Sequence, residues 1–282
     1  MYRYKNRSIQ KELKKMRRGL IGTISNYKGG TGKTITAVNL SAALAIKKKK
    51  VLLIDNDPQS DSTRSLVKGP AIIRSCMYDL LNVDEEDKIP VEDCIYPTIQ
   101  DNLDIIPNIP ETSGHEIPLA QDFPGSNATL KKAVYEYAVS NYDYIFIDCP
   151  PTLSVFVANA LFCSDVVIIP MTAGSGNSLE GIKGVMDLML SMKEQNNNLK
   201  EFKILINKID RRKSAHKANI SNAQMRFGEE NIFNSTIPTS SDFETVEAIK
   251  QTTIFNYATR SKGANAFRNL AKEFLNLFEN RN

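Results

Sequence analysis

The feature of this sequence that most constrains its fold is an apolar run, residues 20–25, that leads through a glycine-rich turn into a helical pattern. The turn reads KGGTGKT at positions 28–34, and the helical pattern extends over residues 34–48. A strand that enters such a turn and opens a helix directs several backbone N–H groups and the positive end of the helix dipole to one point. Phosphate is the ligand that suits this arrangement. The segment therefore predicts a strand, a turn and a helix that together bind a phosphate group.

The residue types in the turn suit a nucleoside triphosphate with a magnesium ion. Glycine permits positive φ angles and leaves room for an oxyanion beside the backbone. Lys33 is expected to reach the β- and γ-phosphates, and the Thr34 hydroxyl is expected to be a ligand of Mg²⁺. The usual spacing GxxxxGK[ST] would place a first glycine where this chain has Tyr27, and the turn carries an additional lysine, Lys28. The predicted nucleotide-binding residues are Gly29, Gly30, Thr31, Gly32, Lys33 and Thr34.

Short apolar runs and helical patterns alternate along the rest of the chain. The predicted strands are residues 20–25, 51–55, 103–106, 144–148, 166–170, 202–207 and 232–237, and the predicted helices are residues 34–48, 129–140, 155–163, 179–196, 215–227, 243–250 and 264–278. Strands that read as continuous apolar runs, with helices between them, indicate a parallel sheet covered on both faces. We therefore predict an α/β fold, a mostly parallel twisted sheet with helices on both faces.

The domain organisation follows from composition. The chain of 282 residues is 41% hydrophobic and 24% charged, which is typical of a globular protein and not of a disordered one. No linker of clear composition divides residues 19–282, so we predict a single domain there. The least regular stretch, residues 68–127, contains the acidic cluster 84–87 and is predicted to be a surface insertion within that domain.

Positive charge is concentrated in residues 1–18. Eight basic side chains against one acidic side chain give this segment a net charge of +7, which leaves −3 for the remainder of a chain whose total is +4. Ile9, Leu13 and Met16 recur at helical spacing, so the segment could form a basic amphipathic helix. Three interpretations stay open for this basic N-terminal extension: a solvated tail, contact with nucleic acid, and contact with a membrane surface.

Several classes of protein are disfavoured by the sequence. The four cysteines, which are Cys76, Cys94, Cys149 and Cys163, form no CxxC pair, and there are two histidines, so neither a disulfide framework nor a zinc site is expected. No apolar run approaches the ~20 residues of a membrane-spanning helix, and the basic N-terminus lacks the apolar region of a secretion signal. The sequence predicts a cytoplasmic protein.

KGGTGKT resembles the deviant Walker A motif of the ParA/MinD-like P-loop ATPases, and further motifs extend the resemblance. VLLIDNDPQ at 51–59 is similar to the second motif of that family, and YIFIDCPP at 144–151 is similar to its Walker B strand. Asn207 closes a strand where the family has an adenine contact, and SKGA at 261–264 is similar to its C-terminal segment. The likeness runs from about residue 20 to residue 278. The frequent DPQGNAT of the family reads DPQSDST at 57–63, which adds a carboxylate near the site.

Position and resemblance together suggest roles for the acidic residues. Asp148 ends a strand at the carboxyl edge of the sheet, where ligands of open α/β sheets bind, and is expected to hold Mg²⁺ through water opposite Thr34. The resemblance implies that Asp57 positions the attacking water. Asp55 is an alternative as an orienting or metal-contacting group. Asn207 is implied to contact adenine, and the alternative is an asparagine that only begins a loop.

The resemblance also implies a role for Lys28. In the family two subunits face each other across two ATP molecules, and this lysine reaches the phosphates of the partner. A cation supplied across an interface acts as an arginine finger does. Facing lysines repel one another without the charge of the γ-phosphate, so the implied states are a monomer with ADP and a homodimer with ATP. The implied catalytic residues are Lys28, Lys33 and Asp57.

Basic residues in the last third of the sequence are candidates for contact with DNA. They are Arg211, Arg212, Lys213, Lys217, Lys250, Arg260 and Lys262. No recognition helix is evident, so binding is expected to go to phosphates of double-stranded DNA, without sequence specificity and with strong salt dependence.

The function that these features favour is that of a ParA-type partition ATPase. Such a protein binds ATP and Mg²⁺, dimerises, associates with nucleoid DNA, and is released when a ParB-like centromere-binding partner stimulates hydrolysis, so that a plasmid or chromosome is segregated. The alternative is a MinD-like membrane-associated ATPase, which should end in an amphipathic targeting helix; here the pattern at 264–278 is followed by four residues. An iron–sulfur ATPase of the same superfamily is disfavoured by the cysteine spacing.

Overall fold

The computed structural model describes residues 18–68, 73–82, 89–174, 178–193, 199, 201–210 and 212–279. Within these residues, a β-sheet lies at the centre of the fold. The strands are β1 (Leu20–Ile24), β2 (Val51–Asp55), β3 (Tyr96–Pro97), β4 (Leu103–Ile106), β5 (Tyr144–Asp148), β6 (Val166–Thr172), β7 (Glu201–Ile209) and β8 (Ile232–Pro238). They form one sheet in the order β3-β4-β2-β5-β1-β6-β7-β8. All neighbouring pairs are parallel except β3 with β4. The predicted mostly parallel sheet is confirmed.

Helices connect the strands and cover the sheet. The α-helices are α1 (Lys33–Ile46), α2 (Asp61–Leu66), α3 (Met77–Leu80), α4 (Glu116–Gln121), α5 (Thr129–Asn141), α6 (Val155–Cys163), α7 (Ser178–Lys193), α8 (Ser214–Phe227), α9 (Ser241–Ile249), α10 (Ile254–Tyr257) and α11 (Lys262–Phe278). Short 3₁₀ segments are Val91–Cys94, Pro110–His115, Gly125–Ala128 and Glu229–Asn231. Each predicted helix is present, with ends that shift by at most a few residues.

Two apolar cores lie on the two faces of the sheet. One core joins the sheet to α5, α6 and α7, and the other joins it to α1 and α11. The α11 helix shows why: Phe267, Leu270, Ala271, Phe274 and Phe278 recur on one helical face and all are buried. Phe274 packs against Tyr144 and Phe146 of β5, with ring centroids 5.5 Å apart in each pair. Helices on both faces follow directly from strands that are apolar on both sides.

The segment 68–127 is more than the predicted surface insertion. Its strand β4 pairs in parallel with β2 over four positions, and Leu103, Ile105 and Ile106 are buried. β3 then pairs with β4 and forms the edge of the sheet. The backbone hydrogen bonds of these described residues belong to the main sheet, as the predicted strand 103–106 requires, and the surface insertion stays a prediction for the rest of the segment. The acidic cluster 84–87 lies outside the described residues.

Arg18 fixes the chain at the point where the described structure begins. Its guanidinium forms an ion pair with Asp165 and donates a hydrogen bond of 2.8 Å to the Tyr135 hydroxyl. The carboxylate of Asp165 also accepts a 2.9 Å hydrogen bond from the backbone N–H of Ile21. Arg18 is therefore tied to the domain. The other residues of the predicted basic extension, 1–17, lie outside the described residues.

The described residues can be compared with two classes that the sequence disfavours, disulfide-linked proteins and membrane-spanning proteins. All four cysteines are free thiols and are buried. Among the described helices, none combines the length and the apolar character that crossing a bilayer requires.

Candidate nucleotide-binding site

The carboxyl ends of three adjacent strands bring the predicted acidic residues together. In the sheet, Asp148 at the end of β5 is in register with Asp55 at the end of β2 and with Ile24 at the end of β1. The glycine-rich turn follows β1, which is adjacent to β5, and the residues Lys33 and Thr34 lie near the carboxylate of Asp148. Parallel strands place their ligand-binding loops at this edge. The structure thus assembles the site at the point that the sequence predicts.

Backbone geometry explains two of the three glycines in the turn. Gly30 has φ 72° and Gly32 has φ 85°, values that glycine adopts without steric cost. A Cβ atom on Gly32 would lie 2.5 Å from Nδ2 of Asn207. A side chain at position 32 is therefore disfavoured by this contact as well as by the positive φ. Gly29 faces open space, with no atom within 4 Å of the position that a Cβ would take. Its space is available to a ligand.

Asn26, a buried residue that the sequence reasoning missed, holds the start of the turn. Its Nδ2 donates to the carbonyl of Pro170 in β6 at 2.8 Å, and its Oδ1 accepts from the backbone N–H of Lys28 at 3.0 Å. The ammonium of Lys33 in turn donates to the carbonyl of Lys28 at 3.2 Å. The turn is therefore closed by its own polar groups. Burial lowers the pKa of Lys33, and the negative charge of Asp148 opposes that effect.

Asp148 presents one carboxylate oxygen that has no hydrogen-bond donor. The residue is fully buried; Oδ2 accepts a 2.7 Å hydrogen bond from the hydroxyl of Ser62, and Oδ1 is buried without a hydrogen-bond partner. Burial raises the pKa of Asp148 to about 7, which the neighbouring hydroxyls of Ser62 and Thr34 partly offset. A buried carboxylate oxygen without a partner suits a cation or a water molecule held by one.

These donors fit magnesium. Mg²⁺ is commonly held by one or two carboxylates together with substrate phosphates and water, not by an all-protein cage. Among the described residues no group of three or more histidine, cysteine, aspartate or glutamate side chains could hold a metal. Thr34 and Asp148 together offer a hydroxyl and a carboxylate, so the remaining ligands would come from nucleotide and solvent.

Asp55 is engaged differently. Its Oδ2 accepts hydrogen bonds from the backbone N–H of Thr63 at 2.8 Å and from the Thr63 hydroxyl at 2.6 Å, and its Oδ1 accepts from the backbone N–H of Asp57 at 3.3 Å. Burial raises the pKa of Asp55 to about 8, and the charge of Asp148 acts in the same direction. Both oxygens therefore anchor the segment after β2. This arrangement favours a structural role for Asp55 over the predicted metal contact.

Asp57 is half-buried and lies on the wall of the cavity above the turn. Its Oδ1 accepts from the backbone N–H of Gln59 at 2.9 Å. Burial raises the pKa of Asp57, while the Gln59 hydrogen bond and the charge of Lys33 lower it. The carboxylate is accessible from the cavity and near the ammonium of Lys33, as a residue that positions a water molecule would have to be.

The cavity has a volume of about 440 Å³. Its walls include Gly29, Gly30, Gly32, Lys33, Thr34 and Asp57, together with Asp61 and Arg64 of α2 and Glu247 and Lys250 at the end of α9. Lys28 does not line it. The cavity therefore gathers most of the predicted nucleotide-binding residues, and it also takes in Lys250, one of the predicted DNA-contacting residues.

Asn207 connects β7 to the turn. Its Nδ2 donates to the carbonyl of Thr31 at 3.0 Å and lies 3.4 Å from the hydroxyl oxygen of Thr36. A second cavity, of about 80 Å³, lies beside it and is also lined by Pro238, Thr239 and Phe243. Asn207 thus supports the turn, and the adenine contact predicted for it stays a prediction. No sequence pattern indicates that the segment after β8 completes this cavity.

Among the described residues, the predicted DNA-contacting residues are distributed over several elements. Arg212 and Lys262 line a cleft of about 950 Å³ between the ends of β7 and β8 and the start of α11. The guanidinium of Arg212 forms two 3.0 Å hydrogen bonds with Asp210, whose pKa it lowers to about 2. Lys213 and Lys217, at the start of α8, and Arg260, before α11, are exposed. Arg211 lies outside the described residues.

We predict that the nucleotide-free protein loses stability as pH rises from 5 to 8. The raised pKa values of Asp148, about 7, and Asp55, about 8, mean that the folded state binds protons which the unfolded state releases near its ordinary pKa of 3.8. The stabilising contribution is complete below that ordinary value and is lost as pH rises through the folded-state values, on the order of a few kcal/mol. Thermal unfolding of wild type and Asp148→Asn at several pH values measures it. Because asparagine does not ionise, the variant should show a shallower decline, and equal slopes would contradict the prediction.

Comparisons with known proteins show the family to which the chain belongs. The family model described as an AAA domain matches residues 20–204. Sporulation initiation inhibitor protein Soj of Bacillus subtilis strain 168 is 37% identical over 256 residues, which cover 90% of this chain and 98% of Soj. These matches span the glycine-rich turn and both aspartate-bearing strands.

Solved structures show the same fold. The putative plasmid partition protein of Borrelia burgdorferi B31 bound to AMPPNP has a TM-score of 0.73 at 26% identity, with 92% of this chain and 100% of that chain covered. Cobyrinic acid a,c-diamide synthase from Mycobacterium smegmatis, solved with bound ADP and magnesium, has a TM-score of 0.77 at 24% identity, with 94% and 97% covered. Because a family model and a relative as similar as Soj both extend over the turn and the strands that converge on it, this chain belongs to the ParA/MinD-like family of P-loop ATPases.

Proposed function

We propose that this protein is a ParA-type partition ATPase that hydrolyses ATP to ADP and phosphate slowly until a partner stimulates it. The observation that carries the proposal is one cavity lined by Lys33, Thr34 and Asp57, in which Lys33 and Thr34 neighbour the buried carboxylate of Asp148. The relatives support it, since a Soj protein and a plasmid partition protein are among them. The protein would associate with DNA while it holds ATP and would leave the DNA after hydrolysis.

The nucleotide would occupy the cavity with its phosphates at the glycine-rich turn. The N-terminus of α1 and the ammonium of Lys33 favour negative charge there. On phosphate binding, Lys33 would exchange its contact with the carbonyl of Lys28 for a phosphate oxygen. The adenine ring would lie toward Asn207, in the cavity that Pro238 and Phe243 help to line.

Magnesium would be held by the Thr34 hydroxyl and, through water, by Oδ1 of Asp148. When bound, the ion neutralises negative charge that develops on the phosphate oxygens. Asp57 orients the attacking water and accepts its proton, and the position of its carboxylate on the cavity wall is compatible with that role. Lys33 holds the phosphate that is transferred.

Dimerisation would depend on Lys28. This lysine does not line the nucleotide cavity of its own subunit, while Lys33 lines it and serves the phosphates there. A second copy of the chain, bound across the nucleotide, would therefore receive the Lys28 cation at its γ-phosphate. ATP would hold the two copies together, and hydrolysis would release them.

DNA would be bound through phosphates by the cleft of Arg212 and Lys262 and by the exposed lysines at the start of α8. Two copies double the number of cations, so the dimer would bind DNA far more tightly than the monomer. A ParB-like centromere-binding protein would stimulate hydrolysis, and the cargo would be a plasmid or chromosome on the nucleoid of the cytoplasm.

We expect binding to unrelated double-stranded DNA only with ATP and Mg²⁺, and a salt dependence that reports phosphate contacts. If the dimer neutralises about six phosphates, the slope of log K against log salt is near −5. DNA-shift assays with ATP, ADP and no nucleotide over a salt series measure this, and sedimentation with anionic liposomes is run beside them. Liposome binding with ATP and no DNA binding would replace the proposal with a MinD-like function.

A matched pair of variants locates the DNA-binding surface. Lys262→Ala should weaken binding and reduce the salt slope by about 1 for each phosphate that is no longer neutralised. Lys272→Ala removes an exposed lysine from the same helix, outside the cleft, and should leave the slope unchanged. Equal effects of the two variants would argue against the cleft as the interface.

A further inference from the structure

The carboxylate of Asp148 has one oxygen bound by the protein and one oxygen left over. Oδ2 accepts a 2.7 Å hydrogen bond from the Ser62 hydroxyl, and Oδ1, also buried, accepts none. Both residues are fully buried, with 0% of their surface exposed. A carboxylate held at one oxygen cannot rotate freely. The hydrogen bond from Ser62 therefore distinguishes the two oxygens of Asp148 and leaves Oδ1, on the side of the neighbouring Thr34 hydroxyl or of a cation, without a donor of its own within hydrogen-bond distance.

Ser62 is itself held in place by its neighbour. The backbone N–H and hydroxyl of Thr63 both donate to Asp55 at the end of β2. The Thr63 hydroxyl also accepts a 2.9 Å hydrogen bond from the backbone N–H of Asn108, which follows β4. The start of α2 is thus tied to the ends of β2 and β4. From this fixed position the Ser62 hydroxyl reaches the end of β5.

The same segment carries Asp57. The backbone N–H of Ser60 donates to the carbonyl of Asp57 at 2.8 Å, and Ser60 adopts φ 59°, a left-handed conformation that is unusual for a residue other than glycine. Only this short turn separates Asp57 from Ser62. A movement of Asp148 would therefore be transmitted through Ser62 to the turn that holds Asp57.

We propose that Ser62 is a positioning residue for magnesium: its hydroxyl fixes Asp148 so that Oδ1 faces the cation, and it links the metal-binding carboxylate to the Asp57 turn. The inference rests on the proposed nucleotide site and gives a role to a residue that the sequence shows only as part of the departure from DPQGNAT. An alanine at this position, as in that pattern, has no hydroxyl to offer Asp148. Groups that orient a ligand of a metal commonly change metal affinity by about 10- to 100-fold when removed.

The experiment measures the Mg²⁺ concentration that gives half-maximal binding of a fluorescent ATP analogue to the full chain. Ser62→Ala should raise this concentration about 10- to 100-fold. Ser62→Cys, which keeps the volume of the side chain but donates weakly, should raise it in the same direction and provides the test if the alanine variant does not fold. Binding of the analogue without Mg²⁺ should stay within about twofold of wild type, because Ser62 does not line the nucleotide cavity.

Ser41→Ala is the matched control. Ser41 is also fully buried, on α1, but its hydroxyl has no hydrogen-bond partner, so its removal should not change the Mg²⁺ dependence. Folded Ser62→Ala and Ser62→Cys proteins with the Mg²⁺ dependence of Ser41→Ala would overturn the inference. The proposed partition function fails separately, if wild type binds ATP with Mg²⁺ but never binds DNA; the Ser62 comparison still decides the inference in that case.

Discussion

Replacing Lys28 with alanine is expected to abolish the ATP-dependent dimer and to lower partner-stimulated hydrolysis about 10³- to 10⁵-fold. The reason is electrostatic: the cation of Lys28 would meet the γ-phosphate held by the other subunit, where negative charge develops in the transition state. Within its own subunit the backbone of the lysine is hydrogen-bonded, with its N–H bound to Asn26 and its carbonyl bound to Lys33. Alanine keeps both backbone contacts. ATP should therefore still bind to the variant as a monomer.

Light scattering with a nonhydrolysable ATP analogue separates the two roles. Wild type should double its mass with the analogue and return to the monomer with ADP, while Lys28→Ala should stay monomeric in both. Lys47→Ala, which removes an exposed lysine at the opposite end of α1, should behave as wild type. A Lys28→Ala protein that dimerises normally with the analogue would refute the proposed cross-subunit contact, whatever its hydrolysis rate.

The fold could be predicted from the sequence because its signals are local. A buried parallel strand is a continuous apolar run, and the predicted bounds of β2, β4 and β5 are those that the structure shows. Their partners follow from one rule, that parallel strands joined by helices share a sheet. The two-residue strand β3 has no such signal, since its place depends on pairing with β4. Within the stretch 68–127 the sequence therefore predicts β4 but not the edge strand that pairs with it.

The residues of the candidate site also fall into two groups, those that the local sequence predicts and those that depend on distant partners. The glycines, Lys33 and Thr34 are contiguous, so their joint position follows from the turn alone. The function of a buried asparagine or serine depends on partners far away in the sequence: Asn207 meets Thr31, and Ser62 meets Asp148. Spacing cannot show such pairs. The resemblance implies an adenine contact for Asn207, which stays a prediction, and the structure adds a hydrogen bond from its amide to the turn.

Asp55 at the end of β2 and Asp57 after it differ in what surrounds them, and the roles that we propose for them rest on this difference. Asp55 is fully buried with three hydrogen bonds to its oxygens, so its carboxylate holds the chain. Asp57 is half-buried on the cavity wall, where one oxygen accepts from Gln59 and the charge of Lys33 lies nearby. A group that acts on water must reach water. The structure therefore favours Asp57 over Asp55 as the hydrolytic residue.

Asp57→Asn is expected to lower ATP hydrolysis about 10²- to 10⁴-fold, the contribution of a positioned general base. Asparagine keeps an oxygen for the Gln59 N–H but lacks the charge and the basicity that orient and deprotonate water. Binding of ATP with Mg²⁺ should change little, so the variant should accumulate as an ATP-bound dimer on DNA. Single-turnover hydrolysis and DNA-shift assays with ATP measure the two properties on the same protein.

Asp55→Asn is the contrasting variant, and it makes the assignment decisive. An amide at this buried position would turn its NH₂ group toward one of the hydrogen-bond donors that now face Asp55. A buried donor that has lost its acceptor lowers the free energy of unfolding by about 1–3 kcal/mol. We therefore expect Asp55→Asn to lower the unfolding temperature, and Asp57→Asn to leave it near that of wild type. If a folded Asp55→Asn lost hydrolysis while Asp57→Asn retained it, the roles of the two carboxylates would be reversed. The water would then have to be positioned from the end of β2 itself, in place of the turn that follows it.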